Sequence, residues 1–331
     1  MLDSSQMDFR QVELPTLKRV LSNIMAHPSS ADPDAHEAGL DEYARLGGNA
    51  VHLHGEGGET HSRRATGRWL QQRGRRPEFF LCTQIGHAGW DEAEGREIDR
   101  FTASAVSEDI DADLELLETN YLDFVYLDDN PRSPFEPVIE AIGRQIELGR
   151  IRAFGVRNWD AKRLVAAQGH LSANSLPGIA AVVTTELALP DAQEPLWPEY
   201  VPFEPELRAA VEALHLPVFA HAADINLGQC LFGDEDVSAR LRKHWLERWH
   251  DPANHALVER VESFAAARGL TTREVNIAWL LSQKFPCIAI TPLPHMLMGR
   301  RSEYQRASHF LLNEADRTWL ALPLTEHSRP A

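Results

Sequence analysis

The chain has 331 residues, 43% of them hydrophobic and 25% charged, an ordinary globular composition that excludes wholesale disorder and supplies enough apolar material for a core. Acidic residues outnumber basic ones by 49 to 33, a formal net charge of -16, so the average surface repels nucleic-acid phosphates and anionic lipid. Neither is expected as a partner.

In chain order, the opening MLDSSQMDFRQVELP has neither the basic start nor the apolar centre of a signal peptide. No later run reaches the roughly 18 apolar residues that a membrane span needs. Cys82, Cys230 and Cys287 are far apart and form no CxxC pair, which argues against a disulfide framework or a thiolate zinc site and for a reducing, cytoplasmic setting. Eight β-branched or aromatic runs then read as strands, at 17–25, 49–54, 78–84, 121–128, 151–156, 179–185, 216–221 and 287–291. Between them lie segments of helical period, such as 32–47, 107–120, 134–149, 160–170, 205–215 and 254–269, several opened by Asp, Ser or Pro and closed by Gly. Eight strands alternating with helices predict a (β/α)8 barrel, one domain over 1–331 with the barrel at about 17–320, whose site lies where the strands run out at their C-terminal ends. Two insertions, 186–205 and 222–252, are long enough to serve as lids or substrate walls. The second carries Trp245 and Trp249 and the first Trp197, which would wall an organic substrate or merely anchor the loops.

The stretch GGNAVHLHGEGGETHS places His52 and His54 on one face of the second strand, because alternate strand residues point the same way. Val51 and Leu53 suit the helix layer, so the histidines face the barrel interior. Asp128 and Asp129 end the fourth strand and His221 ends the seventh, and a closed barrel brings such ends together. His52, His54, Asp128 and His221 are suitable ligands for a divalent metal, Zn or Fe, which would lower the pKa of a water or polarise a carbonyl. Two other readings stand beside that one. The same side chains could form a neutral hydrogen-bonded network, or His52 or His221 could move protons with Asp128 as orienting group. Gly55, Gly57 and Gly58 could cradle a phosphate but more simply make a flexible loop. Arg157, at the fifth strand's end, could grip a substrate carboxylate or form a surface ion pair.

The stretch ELGRIRAFGVRNWDAKRL, at 147–164, resembles the aldo-keto reductase superfamily, and LGGNAVHLH, FFLCTQIG, LELLETNYLDFVYLDD and AAARGLTTREVNIAWLLSQ resemble other family segments in the expected order. The resemblance implies an eight-stranded barrel and NADPH-dependent reduction of carbonyl groups by a tyrosine helped by Lys, His and Asp. In this sequence the Asp position falls on His52, the Tyr on Gly57 or a neighbour, the Lys on Gln84 and the His on Asp128. Where the family has Ser-Asn to hold the cofactor, Arg157 and Asn158 stand. The sixth-strand Gln is Thr184 and the tyrosine that stacks on nicotinamide is His221. Arg300 and Glu303 match the pair that holds the adenosine phosphate, whereas Tyr304, Pro294 and His295 depart from the residues around it. Three expectations follow, all with a small molecule as the partner and none fixing the oligomeric state. The first is a barrel enzyme of changed chemistry, non-redox or metal-assisted, with His52, Asp128 and His221 as its catalytic groups. The second is an NADP-dependent carbonyl oxidoreductase with a non-standard acid, its cofactor held by Asn158, Arg300 and Glu303. The third is a non-catalytic ligand-binding homologue.

Overall fold

The computed structural model describes residues 8–30, 32–54, 60–91, 95–187, 189, 200–221, 252–293 and 300–321. A closed barrel of eight parallel strands forms in chain order: β1 (Ile24–His27), β2 (Ala50–Leu53), β3 (Phe80–Ile85), β4 (Leu122–Leu127), β5 (Ile151–Arg157), β6 (Val182–Thr184), β7 (Val218–Ala220) and β8 (Cys287–Pro292), with β8 pairing back onto β1. The helices that return the chain between strands include α1 (Pro33–Arg45), α2 (Thr60–Gln72), α3 (Ala103–Leu116), α4 (Glu136–Glu147), α5 (Ala161–Ala173) and α6 (Pro205–Ala213), followed by α7 (Pro252–Arg268) and α8 (Thr272–Leu281) before β8, and α9 (Arg301–His309) and α10 (Glu314–Leu320) after it. Every strand expected from the sequence is therefore present. One of them differs in extent: the run at 17–25 covers both the second arm of a hairpin and the start of β1.

That hairpin, Gln11–Leu14 paired antiparallel with Arg19–Ser22, covers the N-terminal end of the barrel. Its Leu14 and Leu21 join the interior cluster, and the Thr16 hydroxyl donates to the Ala180 carbonyl at 2.8 Å. The run at 17–25 reads as one strand because Arg19–Ser22 and the start of β1 are both β-formers separated only by Asn23, while the hairpin reversal ahead of it rests on Lys18, whose left-handed φ of 51° is a local feature that β-propensity does not report.

Alternation along each strand sorts the core into two layers. Met25, Phe80, Cys82, Phe124, Tyr126, Val183, Phe219, Ile288 and Ile290 fill the barrel, while Ile24, Val51, Leu53, Leu81, Val125, Leu127, Phe154, Val156 and Val218 pack under the helices. Gly155 sits in β5 because a Cβ there would overlap the Ala181 carbonyl and the Phe124 ring. Helix starts are set by side chains the sequence shows: Asp32 caps α1, Thr102 caps α3, Asp160 caps α5, and Thr271 with Glu274 forms a reciprocal capping box on α8.

Candidate active site

Because interior positions recur every second residue, the interior layer ends at the C-terminal mouth in polar side chains. β1 contributes His27, β2 gives His52 and then His54, β3 gives Gln84, β4 gives Tyr126 and then Asp128, β5 gives Arg157, and the turn after β7 gives His221. The imidazoles gather closely: ring centroids lie 4.7 Å apart for His52 and His221, 5.3 Å for His27 and His52, 5.4 Å for His54 and His221, and 6.4 Å for His54 and His87.

The polar groups are joined in one chain of hydrogen bonds. His27 Nδ1 lies 3.2 Å from the His52 carbonyl and 3.3 Å from His52 Nδ1; His52 Nε2 lies 2.8 Å from the Tyr126 hydroxyl, which donates at 3.5 Å to Gln84 Oε1. Gln84 Nε2 donates to Asp128 Oδ2 at 2.5 Å, and Arg157 closes the chain with Nε on Asp128 Oδ1 at 2.5 Å and Nη2 on Oδ2 at 2.7 Å. The Asp128–Arg157 pair is bidentate and buried, a geometry that fixes both planes.

His52 is held well below the ordinary imidazole range by burial, reinforced by His221, His27, His54 and Arg157, and His221 is lowered by burial, His54, His27 and Arg157. Both rings are therefore neutral near pH 7. Burial raises the Tyr126 hydroxyl well above its usual value. For Arg157, burial works against the charge, but the Asp128 carboxylate outweighs it and keeps the guanidinium firmly protonated. Arg157 is 2% exposed, and its Nη1 is buried with no hydrogen-bond partner among the described residues.

Several sequence expectations change in this light. Asp128 neither orients an imidazole nor offers a vacant carboxylate, since both its oxygens are occupied by Arg157 and Gln84. Arg157 is neither a surface residue nor unpaired. Both follow from one cause, a cation and an anion facing each other across adjacent strands in a closed interior, where an unpaired charge is costly. Among the described residues no three His, Cys, Asp or Glu side chains are set to hold a metal ion, so the expected set of His52, His54, Asp128 and His221 is not assembled as a ligand group. The hydrogen-bonded network is what His52 and Asp128 form, linked through Tyr126 and Gln84.

On the cofactor side, Asn158 follows β5 in the left-handed conformation, φ 62°. Glu303 is paired with Arg273 at 3.3 Å, and the Arg300 carbonyl accepts from the Glu303 amide at 2.9 Å at the start of α9. Gly55, Gly57, Gly58, Trp197, Trp245, Trp249, Cys230, Pro294 and His295 lie outside the described residues.

Sequence reasoning misses Tyr126 and His27. Alternation alone is the signal that finds them, since Tyr126 stands two residues before Asp128 on the same strand, and His27 two after the interior Met25.

Two buried networks hold this mouth in shape. Arg63 on α2 pairs with Asp113 on α3 at 2.9 Å and donates through Nη2 to the His54 carbonyl at 2.5 Å. Burial pushes Asp113 up to about 6, with Arg63 and Thr83 opposing. Arg163 pairs with Asp129 at 2.7 Å, donates to the Ser133 carbonyl at 2.9 Å, and packs its guanidinium against Trp159, Phe135 and Phe101. The loop after β4 is thereby tied to α5.

Comparison with known proteins agrees with this architecture. Residues 31–202 match the model of the aldo/keto reductase family. Over 280 residues, 78% of this chain and 73% of the relative, the chain is 24% identical to an NADP(+) aldo-keto reductase, yakc, of Schizosaccharomyces pombe. Among the described residues no helix is long and apolar enough to cross a membrane. With a closed eight-stranded barrel and a family match over more than half its length, the chain belongs to the aldo/keto reductase family.

Proposed function

We propose that this family member moves a proton at the oxygen of a small polar hydroxyl or carbonyl compound with imidazoles in place of a tyrosine and a lysine. One observation carries the reading: His52, Gln84, Asp128, Arg157 and His221, the positions equated with reacting or cofactor-holding residues, meet at one end of the barrel, and four of them share one hydrogen-bonded chain. An imidazole that burial and its cationic neighbours keep neutral at rest carries no imidazolium proton to give, so it enters the reaction as a proton acceptor, and a weak one. Removal of a hydroxyl proton, the alcohol-oxidising direction, therefore fits better than protonation of a carbonyl. His221 is the half-buried ring facing that work, while His52, enclosed with both nitrogens engaged, holds the network's geometry. Arg157 stabilises charge that develops on the substrate oxygen.

NADP, the cofactor named for the fission-yeast relative, fits the residues present. The unpartnered Nη1 of Arg157 and the neighbouring Asn158 offer donors where a carboxamide would be held, and Arg300 with Glu303 retains the pair for the adenosine phosphate. When bound, that cofactor would accept or supply the hydride; the chain's own residues orient the substrate and handle its proton. Metal assistance is left out of this reading because Asp128 is committed to Arg157 and, among the described residues, no three His, Cys, Asp or Glu side chains are set to hold a metal ion.

Titration with NADP+ and NADPH, followed by tryptophan fluorescence, tests the cofactor; glycerol oxidation and glyceraldehyde reduction test the reaction. Saturable binding and turnover of either probe support the reading. Absence of nucleotide binding would end it in favour of a non-redox lyase, hydrolytic or isomerising step on the same imidazoles.

A further inference from the structure

Arg157 is a cation held almost without solvent. Asp128 takes its Nε and Nη2, the residue is 2% exposed, and Nη1 is buried with no hydrogen-bond partner among the described residues. A donor in that state is costly, because a water that reached it would supply the missing bond. The groups that cover the guanidinium are aromatic. Its central carbon lies over the Tyr126 ring and over the Tyr200 ring, 5.6 Å from each centroid. Tyr126 belongs to β4 and is fully enclosed inside the barrel. Tyr200 differs in being half-buried, and it comes from the connection between β6 and α6, the insertion whose length suits a wall over the mouth. Of the two rings, Tyr200 is therefore the one that stands between Arg157 and solvent.

The charge covered in this way reaches the imidazoles of the mouth. Arg157 is among the causes that hold His52 and His221 below the ordinary imidazole range, and at the Tyr126 hydroxyl it pulls against burial. Such influence depends on the exclusion of water, whose screening weakens a Coulomb interaction strongly. An aromatic ring suits the task better than an aliphatic one, because its face attracts the cation that it covers.

We propose that Tyr200 is a positioning residue of this site: its ring excludes water from Arg157, so that the field of the guanidinium acts undiminished on the oxygen of the substrate. The proposal rests on the proton-transfer reading above, in which Arg157 stabilises charge on that oxygen. It assigns no proton to Tyr200, and the ring rather than the hydroxyl carries the role. It also gives the unpaired Nη1 a reason, since the cover that strengthens the field bars the water that would pair this donor.

Reaction of the full chain with phenylglyoxal, a reagent for accessible guanidinium groups, followed by peptide mapping, tests the cover without any substrate. Arg157 is expected to stay unmodified in the parent and in Tyr200→Phe, and to react in Tyr200→Ala. Modification in the parent, or protection in Tyr200→Ala, overturns the proposal. In turnover, Tyr200→Ala is expected to lower kcat for glycerol oxidation by NADP+ about 10–100-fold with KM little changed, the pattern of an interaction made in the transition state. Tyr200→Phe, which keeps the ring, is expected to hold kcat within about twofold of the parent. Parental kcat in Tyr200→Ala, a change confined to KM, or a loss that Tyr200→Phe does not restore would each sink the assignment. Should Tyr200→Ala fail to fold, Tyr200→Leu, which keeps apolar bulk without the ring, takes its place with the same outcomes. If the parent oxidises no alcohol and binds no nucleotide, the functional reading has failed, and the phenylglyoxal result alone decides whether Tyr200 is the cover of Arg157.

Discussion

Each end of the barrel buries an aspartate of the fourth strand, and the two are treated differently. At the closed end, Asp123 is held by Arg19 at 2.7 Å, Arg76 at 2.8 Å, Arg152 at 3.2 Å and the Leu81 amide at 3.1 Å, with Tyr121 sandwiched between Arg76 and Arg152. At the open end Asp128 has one arginine and one glutamine, and that arginine keeps an unpartnered N–H among the described residues. The first site has more donors than its carboxylate needs, which makes it redundant and structural. The second has a pair with no substitute, next to neutral imidazoles, and such perturbed groups gathered at a strand-end mouth mark a candidate site.

The largest effect that separates the ends is on stability. Arg157→Met leaves Asp128 buried without its cation and is expected to cost about 3–5 kcal/mol in urea unfolding. Arg152→Ala, which removes a half-exposed member of a three-arginine set, should cost below about 1 kcal/mol. Equal losses would erase the distinction. Next comes Tyr126→Phe, which strands the His52 Nε2–H and Gln84 Oε1 inside the barrel; a loss of about 1–3 kcal/mol is expected, together with displaced His52 ring signals. A neutral result would show that the link from His52 to Gln84 is not made in solution.

A smaller and graded effect concerns pH. His36, buried beside Thr66, is lowered to about 4, first by burial, and His52 and His221 are lowered in the same sense. A histidine with a depressed folded pKa gives stability that is present above 6.5 and lost as pH falls through the folded value. Asp113 and Asp129, raised to about 6 mainly by burial, act oppositely, regaining stability as pH falls from about 6. The urea midpoint should therefore drop from pH 6.5 toward 4 less steeply in His36→Leu than in the parent. An unchanged slope would mean that His36 is charged in the folded protein.

The fold is legible in the sequence because its signals are local. β-branched runs, Asp and Thr caps and Gly stops appear at the positions where the elements begin and end, and alternation on β2 is enough to put His52 and His54 on the interior face. The site is legible only in composition. Residue type and position single out His52, Asp128, His221 and Arg157 as candidates, but they match Asp128 to imidazoles and metal when it is paired with Arg157. Nothing in the order of residues says which of several strand ends lie side by side at contact distance, and Tyr126 reads as one more apolar residue in a strand-like run.

The sequence by itself determined that the chain alternates strand and helix and that it resembles this family. These follow from periodicity and residue identity, which are written along the chain. The tertiary structure decided who is bonded to whom: the Asp128–Arg157 pair, the enclosure of His52 between His27 and Tyr126, and the closing of the barrel floor by the hairpin. Such pairings depend on barrel closure, which brings β3, β4 and β5 within hydrogen-bond reach and excludes the water that would otherwise take one partner's place.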